Sequence, residues 1–253
     1  MEFKSVIISE KGRREALEDS YFLDMNFANR GWIFGGIYDG HNGSFAAENA
    51  SENLHLTFLK ELLSGFTVEK AFSFSYQQIS TKLKNEKSGT TAVNFFIRDG
   101  EVFTANIGDS RAIVIGENKV NQLKIDHRVN NPEERERIKK SGGRILGSYV
   151  IRGFSGVMNT RVFGDQYFRP VGVISIPFLN RYKISKEDLF LIVGCDGLFD
   201  FMENEEVAIL AREYPEPDQL AKALKKEVLI NRNGTDNLTI ITLKIKNCQT
   251  CHV

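Results

Sequence analysis

Apolar positions along the chain fall into short runs cut by turn residues, with two stretches of helical spacing between them. EFKSVIIS, YFLDM and GWIFGGIYD read as three strands that begin one sheet, the last almost continuously apolar. From Ser44, read as an N-cap, the spacing turns helical, and Ala47, Ala50, Leu54, Phe58 and Leu62 recur at three and four. A second helix follows with Val68, Phe72, Tyr76, Ile79 and Leu83 on one face. TTAVNFFI, EVFTANI and RAIVIG, joined by RDG and GDS, read as a meander, because connections this short exclude parallel crossovers. Asn131 ahead of Pro132, Glu133 and Glu134 is a capping-box signature, so PEERERIKK starts a helix that stops at Gly142-Gly143. The segment 144–186 has weak periodicity and is expected to cover or border a site. DLFLIVGCD is a further buried strand, helices occupy about 203–228, and NLTIITLKI closes the chain's ordered part. The pattern predicts one domain over residues 1–247 and a short tail over 248–253. Antiparallel strands with paired helices laid over them make an α+β layered architecture.

Composition narrows the function. With 42% apolar residues the chain can bury a substantial core, and 33 basic residues balance 33 acidic ones. No long-range field draws it to nucleic acid or anionic lipid, so neither is expected as a partner. No apolar run approaches a membrane span, and MEFKSVIISEKGRR holds too short an apolar stretch for a secretion signal; the expectation is a cytoplasmic chain. Cys195, Cys248 and Cys251 cannot form a disulfide framework. The tail C-Q-T-C-H matches the c-type haem attachment string, yet only Val253 follows His252 and haem attachment requires export. It reads instead as a frayed end with a redox-sensitive or adventitious metal-binding cysteine pair.

The chemistry lies in where the acids fall. Asp39 ends GWIFGGIYD, Asp109 sits in the turn after EVFTANIG, Asp196 ends LFLIVGCD, and Asp236 precedes NLTIITLKI. Each alone is an ordinary turn former. Together, if their strands share a sheet, they converge as carboxylates that repel unless a cation holds them. An all-oxygen set favours Mg²⁺ or Mn²⁺ over Zn²⁺, and a pair of such ions can activate a water and aim it at a phosphoryl group. Arg14, in a polar turn, is either a bidentate phosphate fork or an exposed surface arginine. His41 is either a proton donor to a departing oxygen or a turn histidine bonded to backbone.

The ordered strings R-R-E-A-L-E-D (13–19), Y-D-G-H-N-G (38–43), S-G-T-T-A (88–92), A-N-I-G-D-S-R-A (105–112), I-D-H-R (125–128), E-R-E-R-I-K-K-S-G-G (134–143), T-R-V-F-G-D (160–165), C-D-G-L-F-D (195–200) and T-D-N-L-T (235–239) resemble the metal-dependent Ser/Thr protein phosphatases of type 2C. The resemblance covers nearly the whole chain. It implies a layered α-β-β-α sandwich, two mainly antiparallel sheets flanked by helix pairs, with the metal site at one end. It implies Mn²⁺ or Mg²⁺, two per site, with a third, weaker ion in some members. Glu18, Asp39 and the carbonyl of Gly40 would ligate one metal, and Asp39 would bridge to a second held by Asp196 and Asp236. Asp19 would act on metal-bound water, Arg14 would bind the substrate phosphate, and His41 would be the general acid. Asp109 and Asp200 match the additional, weaker metal. A metal-bridging water would attack phosphoserine or phosphothreonine directly, with no phosphoenzyme, in phosphoprotein substrates, and the chain would act as a monomer.

Three positions depart from the family's pattern: Asn42 for a glycine, T-R-V-F-G-D for S-R-A-L-G-D, and Phe199 for Trp. None removes a proposed ligand, and Asn tolerates left-handed backbone at 42. The segment 144–164 overlaps the family's variable flap. The rival reading is a phosphatase-like scaffold that binds phosphoprotein partners with weak or no chemistry, but such relatives typically lose the metal carboxylates kept here. An aspartyl-phosphate mechanism is poorly served, since position 198 is Leu where a second acid is wanted. There is no P-loop and no G-x-S-x-G elbow.

Overall fold

Apolar runs without alternation belong in strands covered on both faces, and that is where they lie. The computed structural model describes residues 1–246. In chain order it comprises β1 (Glu2–Glu10), β2 (Ser20–Phe27), β3 (Trp32–Tyr38), β4 (Gly40–His41), α1 (Phe45–Leu63), α2 (Val68–Lys82), β5 (Gly89–Thr90), β6 (Ala92–Arg98), β7 (Glu101–Ile107), β8 (Arg111–Gly116) and β9 (Val120–Gln122). There follow α3 (Pro132–Lys140), β10 (Arg144–Leu146), β11 (Tyr149–Arg152), β12 (Ser155–Val157), β13 (Phe163–Gly164), a 3-10 turn (Gln166–Val171), β14 (Phe178–Lys183) and β15 (Asp188–Gly194). The chain continues through α4 (Asp196–Phe199), α5 (Asn204–Glu213), α6 (Pro217–Lys226), a π-turn (Glu227–Asn231) and β16 (Leu238–Lys246).

Two five-stranded antiparallel sheets, ordered β1-β16-β15-β8-β9 and β14-β7-β6-β3-β2, face each other. Ile33, Ile37, Val93, Phe95 and Val102 of one sheet meet Val114, Leu191, Val193, Ile241 and Leu243 of the other in a shared apolar layer. The alternate residues point outward. Phe34 and Phe96 pack under Leu54, Phe58, Phe72 and Tyr76 of α1 and α2, while Ile113, Ile192 and Ile240 pack under Val207, Leu220 and Leu224 of α5 and α6. The result is the α-β-β-α sandwich. All five residues of each predicted stripe on α1 and α2 are buried.

Several details differ from the sequence reading. β1 pairs only with β16, at the far end of the chain, so the first three strands do not start one sheet. The supposed meander breaks at Gly108-Asp109-Ser110: β6 and β7 are paired, but β8 enters the opposite sheet. With both faces of β6, β7 and β8 buried, a short turn serves as well to cross between sheets as to close a hairpin. Ser44 precedes α1 but its side chain accepts no cap hydrogen bond, its backbone being already helical. Asn131 does cap α3, accepting from the N–H groups of Glu133 and Glu134. Glu134 does not close the box; it reaches Arg137, Arg161 and Thr160 instead. The weakly periodic segment holds a three-stranded sheet, β10-β11-β12, over its own small core of Val129, Ile138, Val150 and Phe168, and then β14, the edge of a main sheet. Among the described residues no helix is long and apolar enough to cross a membrane. The tail from 248, with its cysteine pair, lies outside the described residues.

Candidate active site

The acids come from both sheets and meet at one end of the sandwich. Asp39 follows β3, and its carbonyl accepts hydrogen bonds from the Thr91 N–H at 2.9 Å and the Thr90 hydroxyl at 3.0 Å. Asp196 follows β15 and begins α4, whereas Asp109 lies in the crossing between the sheets. Oxygens of Asp39, Asp109 and Asp196 lie within 4.8 Å of one another. Glu18 and Asp236 line the same cavity without joining that cluster. The Glu18 carboxylate accepts the Gly43 N–H at 2.6 Å, and that of Asp236 accepts Arg14 at 2.6 Å and the Asn237 N–H at 2.8 Å. Asn237 holds the two loops together: its amide donates to the carbonyls of Lys11 and Ala16, and its oxygen accepts the Glu18 N–H at 2.8 Å.

The cavity is about 370 Å³ and is lined by Arg14, Glu18, Asp39, Gly40, His41, Asn42, Asp196, Asp236 and Asn237, with Tyr149, Val157 and Asn159 of the β11–β12 region on its border. The weakly periodic segment therefore does edge the site. Gly40 has to be glycine, because a Cβ there would meet the Glu18 carbonyl at 2.3 Å. Asn42 adopts φ +56°, the left-handed geometry that asparagine accepts with little strain.

Crowding of like charge in a buried place raises carboxylate pKa values. Burial lifts Asp39 well above its ordinary value, and the charges of Asp196, Asp19 and Asp109 add to the effect. Burial, then Asp109, Asp236 and Asp200, push Asp196 up to about 8. Burial pushes Asp19 up to about 6 against the hydrogen bonds of Thr239 and Cys195. Asp19 is buried behind the cavity lining, and one of its oxygens has no hydrogen-bond partner; the same is true of one oxygen of Asp109. Converged carboxylates, all-oxygen donors and orphaned buried oxygens fit a hard divalent cation.

Besides Asn237, two more residues were not singled out from sequence. Asp165, buried at the end of β13, places a carboxylate oxygen 2.7 Å from His41 Nε2. Its φ of +48° follows Gly164 at +66°, and the two swing the chain so that the Asp165 N–H reaches the Ser88 carbonyl. Gly89 opens the space for this pair, since a Cβ there would meet His41 Nε2 at 2.2 Å. Arg128 stands on the other side. Its Nε lies 2.5 Å from Asp109, its Nη2 lies 2.8 and 3.0 Å from the two Asp200 oxygens, and the same nitrogen is 3.9 Å from Asp196. The only prior signals were an acid after glycine in a weakly periodic segment and an arginine in I-D-H-R.

The family model described as "Protein phosphatase 2C" matches residues 3–238. The chain belongs to the protein phosphatase 2C family. It is 30% identical to "Protein phosphatase 2C homolog 1" of Saccharomyces cerevisiae over 91% of this chain and 88% of the relative, and 31% identical to "Probable protein phosphatase 2C 8" of Arabidopsis thaliana over 95% and 78%. Its fold resembles that of serine-threonine phosphatase 2C from Toxoplasma gondii, with a TM-score of 0.84 at 21% identity over 96% of this chain and 95% of that one. The chain is thus a protein serine/threonine phosphatase, a hydrolase with a cluster of three carboxylates that could hold a metal ion.

Proposed function

We propose that this phosphatase hydrolyses phosphoserine and phosphothreonine in proteins by direct attack of water, with two divalent ions, Mn²⁺ or Mg²⁺, held by Glu18, Asp39, the Gly40 carbonyl, Asp196 and Asp236. The observation that supports it is the convergence of these acids with Arg14 and His41 around one cavity. When bound, the ions offset the carboxylate charge and activate the attacking water.

The chain's own groups do the rest. Arg14 is more than half exposed, and Asp236, through their hydrogen bond, holds its pKa above the ordinary value. It keeps N–H groups free for phosphate oxygens beyond the one that Asp236 engages. Asp19, with one oxygen unpartnered, orients the attacking water. As the new P–O bond forms and the ester P–O bond breaks, His41 gives its proton to the departing serine or threonine oxygen. Asp165 fixes the orientation of the ring through its contact with Nε2.

The test is hydrolysis of a phosphothreonine peptide with Mn²⁺. Turnover is expected to vanish on chelation, and to fall to background in Asp39→Asn and Asp236→Asn with the circular dichroism spectrum unchanged. Near wild-type rates from either variant at saturating Mn²⁺ would overturn the metal assignment.

A further inference from the structure

The acids outside the proposed two-ion set, Asp109 and Asp200, are engaged by Arg128 at every oxygen but one of Asp109. Arg128 engages both oxygens of Asp200 through the single nitrogen Nη2 and one oxygen of Asp109 through Nε, with Asp196 3.9 Å from the same Nη2. A third divalent ion at this place would need these same oxygens, so it does not fit while Arg128 is there. We infer that Arg128 is a built-in cation that takes the position between Asp109, Asp196 and Asp200, leaving the phosphatase with two exchangeable ions and not three. The inference rests on the two-ion reading above for its count, but on the Arg128 contacts for its location.

The contacts favour the tethered cation over a free one. A guanidinium can hold two carboxylates at once through different nitrogens, Nη2 on Asp200 and Nε on Asp109, and Asp109, nearly fully buried, lies where an unpaired charge would be costly. A guanidinium keeps its positive charge throughout the working range. A small divalent ion gives up its water reluctantly and, when its site is weak, competes poorly with a charge at an effective concentration in the millimolar range or above. Arg128 is also placed by its backbone. It bridges to Asn159 on the cavity border, and its carbonyl accepts the Asn131 N–H at 3.0 Å, at the cap of α3. The cation is thus delivered by the segment that leads into the β10–β12 region. Asp109 retains one oxygen without a partner, in the cluster with Asp39 and Asp196, so its inner side remains available to the two-ion site.

The experiment counts ions without reference to turnover. Mn²⁺ bound per chain, followed by the loss of the free Mn²⁺ paramagnetic resonance signal, is expected to reach two for the wild type and three for Arg128→Ala, the extra ion binding in the millimolar range. A wild-type count of three, or the same count in both proteins, would overturn the inference. Because the variant can fail to fold, crystals of the wild type soaked in millimolar Mn²⁺ provide a second reading by anomalous diffraction. Arg128 between Asp109 and Asp200 with no peak there supports the inference, and a peak with the side chain displaced sinks it. If the inner ions bind and the peptide is not hydrolysed, the functional proposal falls while this one stands.

Discussion

His41 and Asp165 lie 124 positions apart and meet at 2.7 Å, so the proposed proton donor is defined by a contact and not by a motif. Asp165→Asn is the informative substitution, because asparagine accepts the left-handed backbone at this position and so isolates the carboxylate's effect. We expect kcat on a phosphothreonine peptide to fall by on the order of 10- to 100-fold with KM little changed. On p-nitrophenyl phosphate, whose leaving group needs no proton, the loss should shrink to a few-fold. A loss equal on both substrates would mean that Asp165 supports the loop and does not position His41. The acids at strand ends were legible singly because a carboxylate that interrupts an apolar run is conspicuous. Asp165, Asn237 and Arg128 were not, because each is defined by its partner. Asn237 stood in a recognised string, T-D-N-L-T, but nothing in that string says that its amide ties residues 11–18 to β16.

Elements with a strong period were readable, and those made by pairing were not. α1 and α2 show their buried stripes in the sequence, whereas β14, FLNRYK, mixes charge with apolar residues because it is an edge strand with only one neighbour. α3 is set by both kinds of information. Asn131 caps it as expected, but Glu134 turns into a buried cluster with Arg137, Arg161 and Thr160 that links the helix to the segment before β13. Burial alone would raise the Glu134 carboxyl; Arg137, Arg161 and Thr160 instead pull it down to about 2. A depressed folded-state pKa contributes stability above the ordinary carboxylate value and loses it as pH falls through the folded one. Glu134→Gln should therefore cost about 3 kcal/mol of unfolding free energy at neutral pH. Between the ordinary value of 4.5 and about 2, that difference should shrink towards zero in denaturant titrations. A penalty that stayed constant down to pH 2 would show that packing, not charge, is what the substitution removes.

At the scale of the molecule, the two sheets share one apolar layer and bring their acids to one end. Carboxylates from both sheets repel one another where they converge, and a divalent ion held by them, as proposed, would offset that repulsion and tie one sheet to the other. Mn²⁺ at about 100 times its dissociation constant should stabilise the native state by roughly 2.7 kcal/mol. For a chain of this size that is a rise in melting temperature of about 5–11 °C. Asp39→Asn should lose most of the shift, and an undiminished shift in the variant would place the ion elsewhere.

The sequence by itself determined which segments are buried, that helices cover strands, and which carboxylates stand at the ends of apolar runs, since each is a matter of local periodicity and local chemistry. Its motif order pointed to the family. Only the tertiary structure decided that β8 crosses to the second sheet, that β1 pairs with the last described strand, and that Asp165 and Arg128 close on His41 and on Asp109 with Asp200. Strand pairing and side-chain contact depend on distance in space, and residues on strands with two buried faces carry no mark of which face, or which partner, they will meet.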